Sequence, residues 1–231
     1  MTTITAGSSK GGVGKTTALI ILATELARMG HNVTMIDCDS LTRSMTRWSR
    51  KAPLPENIKF ISEVSETGLA KLIDEHNKNG EILIVDLPGV MSRITKNALE
   101  KSDFLIVPMA DSSIDAQVGS DVLKLVQREQ QRLGKEIKHA VVFTQTAHRM
   151  SKEEGRIRKS LNANRIDIID PPLHMRAAFK ALNTWGGTLH DGEKGDGKMA
   201  DENGLPGAKA NAEAFVRSIL KSLASEISHA R

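Results

Sequence analysis

Short apolar runs recur along the chain, and most of them are followed by a glycine, an acid or a polar turn. Such runs are typical of strands that are covered on both faces, as in a parallel sheet. The predicted strands are 2–6, 33–36, 58–61, 82–86, 104–108, 140–144 and 166–169.

Between these runs, apolar residues return every three or four positions, which is the period of an amphipathic helix. The predicted helices are 18–29, 41–51, 69–76, 92–100, 114–133, 151–163 and 210–229. The alternation of strand and helix predicts an α/β fold, with a doubly wound, mostly parallel sheet and helices on both faces. Because residues 186–208 are rich in glycine, we expect a mobile surface loop before the last helix.

Composition limits the number of domains and the class of protein. The 231 residues suffice for one sizeable α/β core but not for two ordinary domains and a linker, so we predict one domain over 1–231. No apolar run approaches the roughly 20 residues that span a bilayer, and residues 1–8 do not resemble a signal peptide. These features predict a cytoplasmic protein. With one cysteine, Cys38, the chain has no internal disulfide.

The loop between the first predicted strand and helix has the most specific chemistry. Its sequence is Ser9-Lys10-Gly11-Gly12-Val13-Gly14-Lys15-Thr16-Thr17. The glycines allow the backbone N–H groups to face inward beside a helix N-terminus, which makes an anion-binding nest suited to a polyphosphate. In such a P-loop, Lys15 reaches the β- and γ-phosphates, Thr16 places its hydroxyl on Mg²⁺, and Thr17 holds a further phosphate oxygen.

Acids stand at the ends of two predicted strands. Asp37 and Asp39 follow the second strand, and Asp86 ends the fourth. The carboxyl ends of parallel strands are where α/β sheets bind ligands, and a carboxylate such as Asp86 can hold Mg²⁺ directly or through water. For Asp37 and Asp39, a turn-forming role is the alternative.

The second lysine of the loop makes it resemble the deviant Walker A motif of the ParA/MinD superfamily of P-loop ATPases. In that family the first lysine, matching Lys10, crosses a dimer interface and touches the partner's nucleotide. The Asp37–Asp39 segment resembles the family's Walker A′ motif. There the acid matching Asp39 orients or activates the attacking water, and the acid matching Asp37 acts near the metal. The resemblance therefore implies that Lys10, Lys15 and Asp39 are catalytic and that Thr16, Asp37 and Asp86 serve the metal.

Other segments match the family less closely. Ser40-Leu41 replaces the common Pro-Gln, and Leu87-Pro88-Gly89 resembles a switch loop in which Asp-Thr-Pro-Pro-Gly is frequent. We expect Thr144-Gln145-Thr146 to face a base or ribose. The segment 171–179 resembles the one that closes over adenine in ParA-like proteins.

Positive charge is concentrated in two segments of a chain with a net charge of +4 and a pI near 9.2. The first contains Arg43, Arg47, Arg50 and Lys51. The second contains Arg149, Lys152, Arg156, Arg158, Lys159 and Arg165. We predict that both segments support non-specific DNA binding by a dimer, with contacts from Arg149, Lys152, Arg156, Arg158 and Lys159. A solvated helix face is the alternative for each cluster.

The resemblance implies a slow, Mg²⁺-dependent ATPase that forms a homodimer with ATP and binds DNA without sequence preference. An adaptor of the ParB type would stimulate turnover, and the protein would be nucleoid-associated and drive segregation of a plasmid or another cargo. No helix-turn-helix precedes the P-loop, as in the short ParA class. The predicted last helix has Arg217 and Lys221 offset by Glu213 and Glu226, so no stable membrane association is expected.

Three other functions are considered. A MinD-like regulator that cycles on a membrane is disfavoured by the weakly basic last helix. An accessory ATPase of conjugative DNA transfer would have the same P-loop chemistry but act on a different cargo. A metabolic P-loop enzyme related to dethiobiotin synthetase has no need of Lys10.

Overall fold

The computed structural model describes residues 2–8, 10–62, 64–76, 80–88, 92–110, 112–191 and 204–224. Its strands form one sheet in which every paired strand is parallel. They are β1 Thr2–Ala6, β2 Val33–Asp37, β3 Ile58–Ser62, β4 Ile82–Asp86, β5 Phe104–Met109, β6 His139–Thr146 and β7 Asp167–His174. The strand order is β3-β2-β4-β1-β5-β6-β7.

The helices alternate with the strands, which confirms the predicted doubly wound α/β fold. They are α1 Lys15–Arg28, α2 Ser44–Ser49, α3 Glu66–His76, α4 Arg93–Lys101, α5 Ser113–Leu133, α6 Lys152–Ala163, α7 Ala177–Trp185 and α8 Leu205–Ala224. The side chains of Ser92 and Ser151 cap α4 and α6 by accepting hydrogen bonds from backbone N–H groups in the first turn.

Strand side chains alternate between two apolar layers, which explains why the strands are apolar on both faces. Residues such as Ile4, Met35 and Ile84 pack against α1, α2, α7 and α8. Alternate strand residues, such as Leu83 and Leu105, point to the other face of the sheet and pack against α3, α4, α5 and α6.

The sheet order brings the predicted functional segments to one edge. Strand β4 lies between β1 and β2, with Asp86 in register with both Ala6 and Asp37. The chain passes from β1 to β2 on one side of β1, and later from β4 to β5 on the other side of β1. The carboxyl end of β1 is therefore a topological switch point.

The glycine-rich segment differs from the prediction of a mobile loop over 186–208 where it is described. Thr188 and Leu189 are buried, and the carbonyl oxygen of Gly187 accepts a hydrogen bond of 3.0 Å from Trp48 Nε1. Helix α8 begins at Leu205, and residues 192–203 lie outside the described residues. Glycine content therefore predicted mobility at 186–191, where the chain instead packs against α2.

The last helix packs on the sheet through its apolar face. Phe215, Val216 and Ile219 are fully buried beside α1. The helix is described as far as Ala224, so the predicted end at 229 lies outside the described residues. Within the part of the chain that the structure describes, no helix is long and apolar enough to cross a membrane.

Candidate functional site

The glycine-rich loop joins β1 to α1 in a conformation that requires glycine at two positions. Gly12 and Gly14 have φ angles of 85° and 81°, which an L side chain rarely adopts. A Cβ atom on Gly14 would also lie 3.2 Å from Thr144 Cβ. The loop therefore depends on glycine both for its turn and for its close approach to β6.

Two loop residues contact the acid at the end of β4. The buried Lys15 Nζ forms an ion pair with Asp86 Oδ1, and Thr16 Oγ1 donates a hydrogen bond of 2.7 Å to Asp86 Oδ2. Burial raises the pKa of the Asp86 carboxyl, while the Lys15 ammonium acts in the opposite direction. The Thr16 hydroxyl and the Asp86 carboxylate provide the oxygen ligands that Mg²⁺ prefers. The pair thus has the donor atoms that would hold a Mg²⁺ ion.

Asp39 and Asp37 have different surroundings. Asp39 Oδ2 lies 3.7 Å from Lys15 Nζ, and its Oδ1 accepts a hydrogen bond from the Thr42 backbone. Asp37 Oδ2 instead accepts hydrogen bonds from the backbone N–H and the hydroxyl of Thr46, and its Oδ1 accepts one from the Asp39 N–H. Because one oxygen accepts hydrogen bonds from Thr46 in α2 and the other accepts one from Asp39, Asp37 anchors α2 and the turn after β2. This placement does not support the predicted role of Asp37 near the metal.

A cleft of about 440 Å³ opens over the loop. We call it the main cleft, and its polar lining includes Lys10, Lys15, Thr16, Thr17, Asp39 and Asn183. Lys10 is exposed at this cleft, unlike the buried Lys15. The two lysines of the loop therefore sit in different environments, one inside the protein and one at its surface.

A smaller pocket of about 150 Å³ adjoins the main cleft. This side pocket is lined by residues that include Gln145, His174, Arg176, Phe179 and Asn183. The Gln145 amide donates a hydrogen bond of 2.7 Å to the Gly12 carbonyl. The predicted segment 144–146 thus lines the pocket at Gln145 and also supports the glycine-rich loop.

His174 lies in the side pocket beside a second imidazole. Its ring stacks on His148 with a centroid distance of 4.6 Å, and its Nδ1 lies 2.9 Å from Thr146 Oγ1. Burial, followed by His148 and Arg176, lowers the pKa of His174 below its ordinary value. This shift favours the neutral form of the ring.

Asn183 on α7 is a site residue that the sequence did not indicate. Its Nδ2 donates a hydrogen bond of 2.8 Å to Thr17 Oγ1, and the residue lines both the main cleft and the side pocket. Its carbonyl oxygen accepts a hydrogen bond of 2.6 Å from Lys51 Nζ. A single asparagine in an apolar helix has no sequence pattern that distinguishes it from a surface residue.

The basic segment made by Arg149 and helix α6 presents only some of its cations to solvent. Arg149, Lys152, Arg156 and Lys159 are exposed. Arg158 is not, since its side chain is 12% exposed and pairs with Glu154 at 2.8 Å and Asp170 at 3.0 Å. Its guanidinium also lies 4.6 Å from the centre of the Phe143 ring. Arg158 therefore joins α6 to β6 and β7, and we remove it from the predicted DNA-binding set.

The switch loop predicted after β4 is described only as far as Pro88, because residues 89–91 lie outside the described residues. Leu87 is fully buried, and its backbone N–H donates a hydrogen bond to the Ala6 carbonyl. The start of this loop is therefore fixed against β1.

Known proteins share both the sequence and the fold. A family profile described as VirC1 protein matches residues 1–199. A protein named ParA from Rhizobium radiobacter is 41% identical over 224 residues, which are 96% of this chain and 98% of that protein.

Solved structures share the fold at lower identity. Apo McdA from Cyanothece has a TM-score of 0.73 at 19% identity and covers 95% of this chain and 99% of its own. A plasmid partition protein from Borrelia burgdorferi B31 bound to AMPPNP has a TM-score of 0.67 at 17% identity, with 95% and 98% covered. Sequence, fold and the geometry of the glycine-rich loop agree, and the chain belongs to the VirC1 family within the ParA/MinD superfamily of P-loop ATPases.

Proposed function

We propose that this protein is a Mg²⁺-dependent ATPase that dimerises on binding ATP and then binds DNA without sequence preference. The observation that carries the proposal is the connected set Lys15, Thr16 and Asp86 at the carboxyl ends of β1 and β4, with Lys10 exposed at the same cleft. A buried lysine beside a Mg²⁺-type ligand pair suits a triphosphate, and a second lysine at the surface suits contact from another chain.

In this proposal the nucleotide spans the two cavities. Its phosphates lie in the main cleft, where Lys15 exchanges part of its contact with Asp86 for phosphate oxygens. Thr16 and Asp86 would hold Mg²⁺, which would neutralise phosphate charge. The base lies in the side pocket, beside Gln145 and Asn183. The AMPPNP-bound partition protein of the same fold supports an adenine nucleotide.

Hydrolysis needs a group that positions water at the γ-phosphate. Asp39 lines the main cleft close to Lys15, and its backbone is held in place by the hydrogen bond from its N–H to Asp37. We propose that Asp39 orients the attacking water and that Asp37 positions Asp39. General-base assistance of this kind contributes roughly 10²–10⁴-fold to a rate.

Lys10 would act on the nucleotide of the partner chain. Its side chain is exposed while the buried Lys15 serves its own cleft, so a second chain that covers the main cleft would bring one Lys10 to each nucleotide. A cation supplied in this way stabilises the charge of the transition state as an arginine finger does. Hydrolysis would then depend on dimerisation.

DNA binding would follow from dimerisation through the exposed cations of α6. A monomer presents Arg149, Lys152, Arg156 and Lys159, which neutralise only a few phosphates. A dimer acts on one duplex with two such sets, and affinity and its salt dependence rise with the number of phosphates neutralised. Helix α6 shows no pattern for reading bases, so binding would be indifferent to sequence.

The cellular role that fits this cycle is partition or positioning of a DNA-bound cargo, with a ParB-type adaptor that stimulates turnover. The relative named ParA supports this role. An accessory role in conjugative DNA transfer would use the same cycle with a different cargo. Both roles imply a protein associated with the nucleoid.

Retention of unrelated DNA duplexes, measured with ATP, ADP and no nucleotide, tests the proposal. We expect salt-sensitive binding with ATP only, and its loss in the double variant Arg156→Glu/Lys159→Glu. The matched control Arg93→Glu/Lys96→Glu makes the same charge change on α4 and should bind as the parent does. Equal binding in all three states would contradict nucleotide control. No DNA binding together with ATP-dependent liposome binding would favour the MinD-like alternative.

A further inference from the structure

Two segments without acidic residues meet on the face of the sheet opposite α6. Residues 40–55 contain Arg43, Arg47, Arg50 and Lys51, residues 171–190 contain Arg176 and Lys180, and neither segment contains Asp or Glu. Helices α2 and α7, which these segments form, pack on the same apolar layer as α1. We call the exposed part formed by Arg47, Arg50, Lys51 and Trp185 the α2–α7 surface.

Close contacts fix the geometry of this surface. Lys51 Nζ donates a hydrogen bond of 2.6 Å to the carbonyl oxygen of Asn183. A Cβ atom on Gly186 would lie only 2.6 Å from Lys51 Cβ. Trp185 stands between Asn183 and Gly186 in the chain, so the end of α2 borders Trp185. Lys51 therefore lies close to Trp185, while Arg50 adjoins Lys51 in the chain and the Arg47 guanidinium lies toward the start of α2.

The exposure of Trp185 is unusual for so large an apolar side chain. It is 50% exposed, whereas the other tryptophan of the chain, Trp48, is 1% exposed and donates a hydrogen bond to Gly187. Tryptophan is enriched at interfaces relative to the rest of the protein surface. Trp185 thus offers an aromatic face to a partner.

The hydrogen bonds made by Arg47 and Lys51 on the α2–α7 surface end on neutral groups. Arg47 donates hydrogen bonds to the Thr42 carbonyl and to Ser44 Oγ, and the Lys51 bond also ends on a carbonyl, so these acceptors are uncharged. Arg50 is exposed one helical turn after Arg47, on the same side of α2. The surface therefore attracts an anionic partner.

We propose that the α2–α7 surface binds single-stranded nucleic acid, with a base stacked on Trp185 and backbone phosphates held by Arg47, Arg50 and Lys51. Every base has a π-face, so stacking on an aromatic side chain tolerates any sequence, while cations along the strand hold the phosphates. A duplex keeps its bases stacked on each other and cannot present one to Trp185 without flipping it out.

A membrane is a poorer partner for this surface. The apolar side chains of α2, Met45 and Trp48, are fully buried in the core, so the helix has no apolar face for a bilayer. Leu41 is 81% exposed but lines the main cleft rather than the α7 side of α2. Trp185 alone provides little apolar area.

This binding site is independent of the proposed ATP cycle. It uses residues outside the triphosphate-binding part of the main cleft, lies on the opposite face from α6, and needs neither a second chain nor a nucleotide. Experiments on it can therefore be done with the nucleotide-free protein. Failure here would leave the proposed function untouched, and failure of the proposed function would leave this site untouched.

The intrinsic fluorescence of the protein provides a direct test. The chain has two tryptophans and no tyrosine, and Trp48 is buried, so a stacked base should quench only the emission of Trp185. We expect salt-sensitive quenching when oligo(dT) is added to the 231-residue protein. An abasic strand of equal length, which has phosphates but no bases, should bind more weakly and leave the emission unchanged.

Variants separate stacking from charge. With a dye-labelled oligo(dT), Trp185→Ala should weaken binding by on the order of 10-fold, whereas Trp185→Phe should retain most of the affinity because a phenyl ring still stacks. Arg50→Gln should weaken binding and reduce its salt dependence, while Lys96→Gln on α4 removes the same charge from the opposite face and should have no effect.

Three results would overturn the proposal. The first is an absence of quenching by oligo(dT). The second is equal quenching by a duplex of the same length, which would exclude preference for a single strand. The third is a shift of Trp185 emission with phosphatidylserine vesicles and none with oligo(dT), which would make the surface a membrane contact.

Discussion

The main cleft and the side pocket adjoin each other but are built by different means. The functional side chains of the main cleft are charged and come largely from eight consecutive residues, 10–17, together with Asp39 and Asp86. The side pocket collects mostly uncharged residues from β6, β7 and α7. The main cleft is held by buried ion pairs, and the side pocket by hydrogen bonds such as that from Gln145 to Gly12.

This difference has an energetic consequence. Lys15 and Asp86 are buried together, so removal of Lys15 leaves the Asp86 carboxylate without its cation in the interior, at a cost of about 3–5 kcal/mol. Loss of one hydrogen bond in the side pocket costs about 1 kcal/mol. Substitutions in the main cleft should therefore affect both ligand binding and stability, and those in the side pocket should affect them much less.

The largest effect is expected for Lys15→Ala, which should abolish binding of ATP as measured by titration calorimetry. The variant should also be less stable, because Asp86 loses its cation. The double variant Lys15→Ala/Asp86→Asn controls for this, since it should recover stability without recovering binding. Micromolar ATP binding by the single variant would show that the main cleft does not hold the phosphates.

The second effect distinguishes the two acids after β2. Asp39→Ala should keep ATP binding and lower the hydrolysis rate by on the order of 10²-fold or more, because water is no longer positioned. Asp37→Ala should lower the melting temperature, since the three hydrogen bonds to Thr46 and Asp39 are lost. Phosphate release and thermal unfolding measure the two outcomes. Near-normal turnover by Asp39→Ala would move the catalytic role to another residue.

A smaller effect is expected in the side pocket. Asn183→Ala removes one hydrogen bond to Thr17, so ATP affinity should fall about fivefold, which corresponds to about 1 kcal/mol. Binding of inorganic triphosphate should change less than binding of ATP. Triphosphate has no base, so the parent and Asn183→Ala both bind it without a base contact. A loss of triphosphate binding as severe as that of Lys15→Ala would mean that Asn183 organises the main cleft.

The smallest effect concerns pH. The lowered pKa of His174 means that the unfolded chain takes up a proton at higher pH than the native protein does. The stability of the folded protein should therefore decline as the pH falls below about 6.5, the ordinary histidine value, and the decline should continue to the lower native pKa. His174→Gln should flatten this part of the curve of melting temperature against pH. An unchanged curve would exclude His174 as a source of the decline.

The comparison also explains which parts of the site the sequence predicted. Lys15, Thr16 and Asp86 were predicted in one neighbourhood because the first two are consecutive and the third ends a strand of a parallel sheet, and their contacts agree. Asn183 was missed because its importance depends on α7 crossing above Thr17, which no local pattern records.

Two residue environments differ from what the local sequence suggests, and for the same reason. Arg158 looks like its neighbours in a basic segment, but the positions of Glu154 and Asp170 make it an internal ion pair. Thr188 and Leu189 lie in a glycine-rich stretch that composition predicts to be mobile, but they are buried against the core beside α2. In both cases a partner distant in sequence but close in space, Asp170 or Trp48, decided the outcome, while the sequence pattern reports only local preference.

The central claim is that Lys10 and Lys15 have separate tasks, one in the partner's cleft and one in its own. Sedimentation velocity with saturating AMPPNP and Mg²⁺ tests it most directly, when the parent protein is compared with Lys10→Ala. We predict that the parent sediments as a dimer and that Lys10→Ala binds the nucleotide with similar affinity but remains a monomer. A Lys10→Ala protein that forms the same dimer at the same concentration would contradict the account.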